Sequence, residues 1–344
     1  MGTALHRMRL RRNPIAIADG CPKIEPELVD RIADAYRSAP GQHLGESMWE
    51  GINARKRDVH DALLEGGNRL QDVLLDPGCT DFFYGFDDLF AARVRRPPLS
   101  RWRLAAQLTR QLIALAHAVG SVPVPNPEYG VAAVLPPANG DDLLDHVERV
   151  LGPIDFPTPF PAERGIATRR GIASYRALHA LFQAWRTKNL ASLYGGRVLE
   201  IGGGLGRSAY YSHRFGVDSY TIVDIPLTGA AQAAFLGQTL SPDQVTLSGE
   251  TPQTGAVRLL RPDQLPDIGP VDIVVNADGL TELDEATAQD YADFIADHAR
   301  AFLSLNHEAN PYRVRDLKLP GMACVYRAPH CMRPGYVEEL YVRT

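Results

Sequence analysis

Cysteine is scarce: Cys21, Cys79, Cys324 and Cys331 are the only four in 344 residues, and no two form a C-x-x-C pair. Neither a zinc cluster nor a disulfide framework is expected, and a reducing, cytoplasmic setting fits best. No apolar run approaches the length that crosses a bilayer, so no membrane partner is expected. Positive charge is not in excess, since 36 Lys and Arg stand against 41 Asp and Glu. The resulting net charge of −5 gives no general attraction to nucleic acid. Internal repeats and low-complexity tracts are missing too. What remains, 45% hydrophobic and 22% charged residues, is the composition of an ordinary globular chain with one large or two ordinary domains.

The most informative stretch is Arg197-Val-Leu-Glu-Ile-Gly-Gly-Gly-Leu-Gly206, followed by Arg207-Ser-Ala-Tyr-Tyr211. An apolar run breaking into glycines and then into a helical pattern reads as a buried strand, a tight turn and a helix start. Gly202, Gly204 and Gly206 would let the backbone turn sharply and a ligand approach closely. Glu200, two residues before the first glycine, suits a ligand with cationic groups better than a pyrophosphate. S-adenosylmethionine carries an ammonium and a sulfonium and no phosphate. Asp224 ends the next apolar run, Ser219-Tyr-Thr-Ile-Val-Asp224, where it can accept from two ribose hydroxyls. The rival reading stays open on spacing alone: Gly204-Leu-Gly206-Arg-Ser-Ala209 fits G-x-G-x-x-A, with Asp224 at dinucleotide distance, as in an NAD(P)-dependent oxidoreductase.

Upstream, Arg7, Arg9, Arg11 and Arg12 make a basic terminus without the serines of a transit peptide, so a frayed end is expected. Helices are expected over 25–39 and over 46–75, the second broken at Gly66-Gly67. The aromatic stretch Asp81-Phe-Phe-Tyr-Gly-Phe-Asp-Asp-Leu-Phe90 reads as packing anchors, and Leu104, Leu108, Leu112, Leu115 and Val119 as the core face of another helix. Two proline-rich passages, 122–137 and 152–161, read as connectors outside the core, around a helix over 141–151. The boundary is expected near residue 165, between a mainly helical N-terminal domain, 1–164, that covers an acceptor site or pairs subunits, and a ligand-binding domain, 165–344. Leu178, Leu181, Phe182 and Trp185 mark the helix that enters it.

Beyond Asp224, a helix over 227–240, strands over 245–250 and 271–278, a helix through Tyr291 and Phe302, and a strand over 302–306 alternate. That alternation argues a parallel sheet with helices on both faces. The last two strands, 323–328 and 336–342, read as an antiparallel hairpin at the sheet edge.

Glu200-Ile-Gly-Gly-Gly-Leu-Gly206, Tyr220-Thr-Ile-Val-Asp-Ile-Pro226, Asp272-Ile-Val-Val-Asn-Ala-Asp278 with Glu282, and Ser304-Leu-Asn-His-Glu308 together resemble the class I S-adenosylmethionine-dependent methyltransferases. More narrowly they resemble a bacterial group of sugar O-methyltransferases, over about residues 165 to 344. The resemblance implies an α/β, Rossmann-like sheet with a reversed final hairpin. It implies O-methyl transfer to a sugar or glycosylated metabolite, with a non-sugar small molecule as the alternative acceptor. Glu200, Gly202, Gly204 and Gly206 would line the methionine end, Asp224 would hold the ribose, Glu250 would meet the adenine amine, and Asn276 would close the pocket. His307 would be the base that takes the hydroxyl proton, oriented by Asp278 or Glu308. Asp278, Glu282, His307 and Glu308 include donors that suit Mg²⁺, but carboxylates are expected at this edge anyway and no D-x-D pair is present, so a site without metal is the expectation. Homodimerisation is left open.

Overall fold

The computed structural model describes residues 13–21, 23–39, 48–84, 87, 98–126, 128 and 137–344. The arginines at 7 to 12, the start of the second expected helix, Phe86 and Asp88 to Phe90, Pro127 and Pro136 lie outside the described residues.

Among the described residues, six helices precede the glycine-rich half: α1 (Pro26–Arg37), α2 (Met48–Ala54), α3 (Arg57–Glu65), α4 (Gly67–Leu75), α5 (Pro98–Ala118) and α6 (Gly140–Leu151). Proline opens α1, where its fixed φ suits the first turn and its missing N–H is not needed. Leu28, Val29 and Ile32 of α1, Leu63 of α3, and Leu108, Leu112 and Leu115 of α5 are buried, as the 3.6-residue spacing requires. Phe82 and Phe83 are fully buried anchors.

The N-terminal part is not wholly helical. Strand β1 (Ile15–Asp19) pairs antiparallel with β2 (Pro161–Thr168), which pairs with β3 (Gly171–Ser174). A boundary at residue 165 therefore falls inside β2, and a strand cannot be divided without exposing its ladder. The second proline-rich passage also carries core residues: Ile154, Phe156 and Phe160 are buried, and Phe160 meets Phe83 edge-on at 5.0 Å. Proline excludes a ladder donor but not burial of its apolar neighbours. One hydrophobic cluster joins Leu28, Leu63, Phe82 and Leu112 to Tyr210, Phe235 and Ile273.

After α7 (Tyr175–Tyr194), the main sheet is built from β4 (Arg197–Ile201), β5 (Ser219–Val223), β6 (Val245–Thr246), β7 (Val257–Leu260), β8 (Val271–Ala277), β9 (Ala299–His307), β10 (Met322–Pro329) and β11 (Tyr336–Arg343). Its order is β10-β11-β9-β8-β4-β5-β7-β6. The pairs from β6 to β9 are parallel; β11 runs antiparallel to both β9 and β10. Helices α8 (Arg207–Arg214), α9 (Pro226–Thr239) and α10 (Glu285–His298) fill the crossovers. This is the α/β fold with a final antiparallel hairpin that the sequence implied; within it only β11 runs against the parallel strands.

The third strand is corrected. Only Val245–Thr246 of the expected 245–250 segment pairs, and the strand beside β5 is β7, which the sequence reading missed. The chain turns at Gly249, where φ is +91°, and the Glu250 carboxylate accepts from Leu247 N at 2.8 Å, a local bond that competes with the ladder.

Starting at β4, the chain winds outward through β5 and returns to the other side of β4 at β8. In open α/β sheets ligands bind beyond the strand ends at such a reversal. The β4 turn and the end of β8 meet there.

Candidate active site

Beyond β4, Gly202, Gly204 and Gly206 have φ of +73°, +55° and +85°, a region that side chains disfavour. Gly203 is closed in differently: a Cβ there would lie 2.7 Å from Ile222 Cγ2. Gly202 N donates to Val223 O at 2.9 Å, fastening the turn to the end of β5. The cradle requires glycine, and it opens directly into α8.

Glu200 is buried beneath this turn, and its carboxylate accepts from the Tyr220 hydroxyl at 3.0 Å. Burial pushes its pKa up to about 8; the Tyr220 bond opposes that shift and the nearby Asp224 adds to it. Asp224 accepts from Ile225 N at 2.9 Å and from Gln232 Nε2 at 2.8 Å, and Gln232 Nε2 also reaches Gly204 O at 3.0 Å. Burial pushes Asp224 up to about 7 against donors from Ile225, Gln232 and the Gly203 and Gly204 amides. Lys56, buried after α2, is pushed down to about 7 by its own desolvation, against the fields of Asp81 and Asp224.

Three of the expected site residues, Asn276, Glu250 and Glu308, are placed differently. Asn276 is fully buried, donating to Ile201 O at 2.8 Å and accepting from Leu280 N at 3.2 Å and Asn306 Nδ2 at 2.8 Å. It ties β8 to its neighbours and presents no surface to a pocket. Glu250 is held in a bidentate pair by Arg31 of α1, at 2.7 and 2.8 Å, and so is not at the end of the strand beside β5. Glu308 pairs with Arg327 of β10, because consecutive residues at a strand end face opposite sides and only His307 turns toward Asp278.

Asp278 itself sits at φ +65°, which costs strain in a non-glycine residue and aims its side chain across the end of β11. Its carboxylate accepts from Arg333 Nη2 at 2.8 Å and from the Tyr336 hydroxyl at 2.9 Å. His307 Nε2 lies 3.7 Å from Asp278 Oδ1, and Ala309 N donates to His307 Nδ1 at 3.3 Å. That assigns the neutral ring's proton to Nε2, facing the carboxylate. Asp278, Glu282 and His307 bring one donor atom each within 4.8 Å of one another, a spacing that could hold a cation.

Sequence reasoning missed Arg333, from the hairpin loop, and Tyr336, the first residue of β11; the arginine and tyrosine flanking Pro334-Gly335 were the available signal. It also missed Arg207, first residue of α8, buried with Glu163 of β2 at 3.0 Å and Asp87 at 3.5 Å. This cluster fixes the helix that follows the glycine turn to the N-terminal part.

No family model and no curated protein matches the chain. Among solved structures it is similar to magnesium protoporphyrin IX methyltransferase (ChlM) from Synechocystis PCC 6803 with bound SAM, at 14% identity over 48% of this chain and 80% of that one, with a TM-score of 0.38. It is similar to TrmN from Thermus thermophilus at 20% identity over 68% of this chain and 78% of that one, with a TM-score of 0.35. The mitomycin 7-O-methyltransferase MmcR is similar at 13% identity over 49% of this chain and 57% of that one, also at 0.35. These scores are low, and the fold assignment rests on the strand order and the reversed strand β11.

Proposed function

We propose that this chain is an S-adenosylmethionine-dependent O-methyltransferase that methylates a hydroxyl of a sugar or glycosylated metabolite. One observation carries the reading. A glycine turn at the reversal of the sheet overlies two carboxylates, the buried Glu200 and the half-buried Asp224, which desolvation raises to about 8 and about 7. An ammonium or sulfonium would favour their ionised forms, whereas a pyrophosphate would disfavour them, which speaks against the NAD(P) alternative. The donor set fits the group: the glycines admit a close approach, and Asp224 stands where ribose hydroxyls can donate.

S-adenosylmethionine, when bound, supplies an electrophilic methyl group. The protein's part is then positioning and proton removal. His307 takes the acceptor hydroxyl's proton at a ring nitrogen, which requires the long Ala309 contact to give way, and Asp278 stabilises the resulting imidazolium. Arg333 and Tyr336 hold the Asp278 carboxylate in place. A second reading has its own observation: Asp278, Glu282 and His307 form a cation-sized cluster, and a divalent ion there would lower the acceptor hydroxyl's pKa.

The test is calorimetric. S-adenosylhomocysteine should bind and raise the unfolding temperature, and NAD(H) should do neither. Binding of NAD(H) alone would overturn the reading.

A further inference from the structure

The head of α7 lies at the ligand edge of the sheet, for a topological reason. The helix ends at Tyr194 and the chain enters β4 at Arg197, so α7 packs back along the sheet and its first turn returns to the edge where the glycine turn and Asp278 sit. Tyr175 and His179, one turn apart, share a face there, with ring centroids 4.2 Å apart. The hairpin loop brings His330 and Arg333 against them. The His179 and His330 rings stand 6.3 Å apart, and Arg333 N donates to His330 Nδ1 at 3.2 Å.

These buried groups hold more donors than they spend. His179 is 4% exposed, and neither of its ring nitrogens has a hydrogen-bond partner among the described residues. His330 Nδ1 also accepts from Met332 N at 3.1 Å, which assigns the neutral ring's proton to Nε2, a donor with no partner among the described residues. Of the side-chain nitrogens of Arg333 only Nη2 is engaged, on Asp278 at 2.8 Å, although a guanidinium has five N–H donors. A buried donor left unmet costs the full desolvation of that group, so a cluster of them points to an oxygen acceptor from outside the chain. The field there has one sign. Desolvation first, and then the charges of Arg333, His330 and Arg176, hold the His179 ring well below the ordinary histidine range, and the two fixed charges among these are both positive. The N-terminal end of the α7 dipole has the same sign.

We infer that the acceptor carries an anionic oxygen group, a carboxylate or a phosphate, bound at the head of α7 by His179, His330, Arg176 and Arg333. The inference rests on the methyltransferase reading above and narrows its acceptor to an acidic sugar or a sugar phosphate. Tyr175, Arg176 and Tyr336 are half-buried and form the entrance, with the three buried side chains as its floor. Arg333 joins this floor to the reacting end, since it also holds Asp278, which faces His307. One arginine thus serves two anions, and the anionic group and the reacting hydroxyl belong to the same sugar unit.

Calorimetry on the full chain with S-adenosylhomocysteine bound, using D-glucuronate, D-glucose 6-phosphate and D-glucose, tests this. At least one anionic sugar should bind about tenfold or more tighter than glucose, and which one does so separates carboxylate from phosphate. His179→Phe keeps a ring and removes its nitrogens. It should keep the unfolding temperature and the S-adenosylhomocysteine affinity while the preference for the anion is lost. Arg176→Gln, at the entrance, is the deciding variant should His179→Phe not fold. Equal or absent binding of the three sugars, or an unchanged preference in the folded variant, overturns the inference and leaves the methyltransferase reading standing. Failure of the wild type to bind S-adenosylhomocysteine would overturn both.

Discussion

Two carboxylate clusters at one edge of the sheet, beyond the ends of β4 and β5 and of β8 and β9, are compensated in different ways. At the end of β4 and β5, Glu200 and Asp224 form no ion pair among the described residues, and burial holds them near about 8 and about 7. At the end of β8 and β9, Asp278 is paired by Arg333 at 2.8 Å, bonded by Tyr336, and faced by His307. The field of Asp224 also acts on Lys56, which its own desolvation pushes down to about 7. One end lacks charge compensation that a cationic ligand would supply. The other is compensated by its own chain, as suits a surface where a neutral hydroxyl docks and only a proton moves.

The largest expected effect lies at the compensated end. His307→Ala should lower turnover by about 10²- to 10⁴-fold, the range of a positioned acid-base group, with cofactor affinity nearly unchanged. A loss of affinity matching the loss of turnover would break the comparison, because His307 would then serve both ends. Asp224→Ala comes next. Removing it leaves Ile225 N without an acceptor and Gln232 Nε2 with Gly204 O alone, and, on the proposed ribose contact, calorimetry should show S-adenosylhomocysteine binding weaker by about 1 to 3 kcal/mol. A folded variant with unchanged affinity removes Asp224 from the site.

A smaller effect sharpens the contrast through pH. Folding raises both pKa values at the cofactor end, so the stability these groups contribute is present at low pH. It is lost as pH rises through about 7 and about 8. A cationic ligand reverses the sign, since it favours the ionised forms and drives protons off. Cofactor affinity should therefore fall on acidification below about pH 7, by up to about tenfold per unit for each proton released. Glu200→Gln, which cannot ionise, should flatten that dependence while lowering affinity at pH 8. A wild-type affinity that does not change between pH 6 and 8 would show the carboxylates already ionised.

The same division explains what was legible in the sequence. The glycine turn, the acid after β5 and the strands β4, β5 and β8 were readable because each is a local pattern, apolar run then glycine or polar residue, set by residues adjacent in the chain, whereas β7 was missed. Glu250 was misread because Leu247-Ser-Gly-Glu250 closes on itself through a side chain, and because its partner Arg31 lies 219 residues away. Asn276 has the position of a pocket residue but is satisfied by β4 and β9, a matter of tertiary hydrogen bonding that spacing does not encode. The N-terminal part carries no motif, yet Glu163 and Arg31 tie it to the glycine-rich half, each through a contact distant in sequence.

The smallest expected effect concerns the cation-sized cluster at the compensated end. Asp278, Glu282 and His307 are close enough to share a divalent ion, and their oxygen and nitrogen donors are of a suitable kind. Against that stands Arg333, whose guanidinium already lies 2.8 Å from Asp278 and would repel a dication at the same carboxylate. The Tyr336 hydroxyl occupies the same carboxylate. If the compensation described here is the working state, exhaustive chelation followed by turnover measurement should change the rate by less than about twofold, far below the effect of losing the general base. Loss of activity on chelation, with recovery on adding Mg²⁺, would overturn that state. Asp278 would then be a ligand, Arg333 its displaced partner in the metal-free chain, and the acceptor hydroxyl would lose its proton under the influence of the ion.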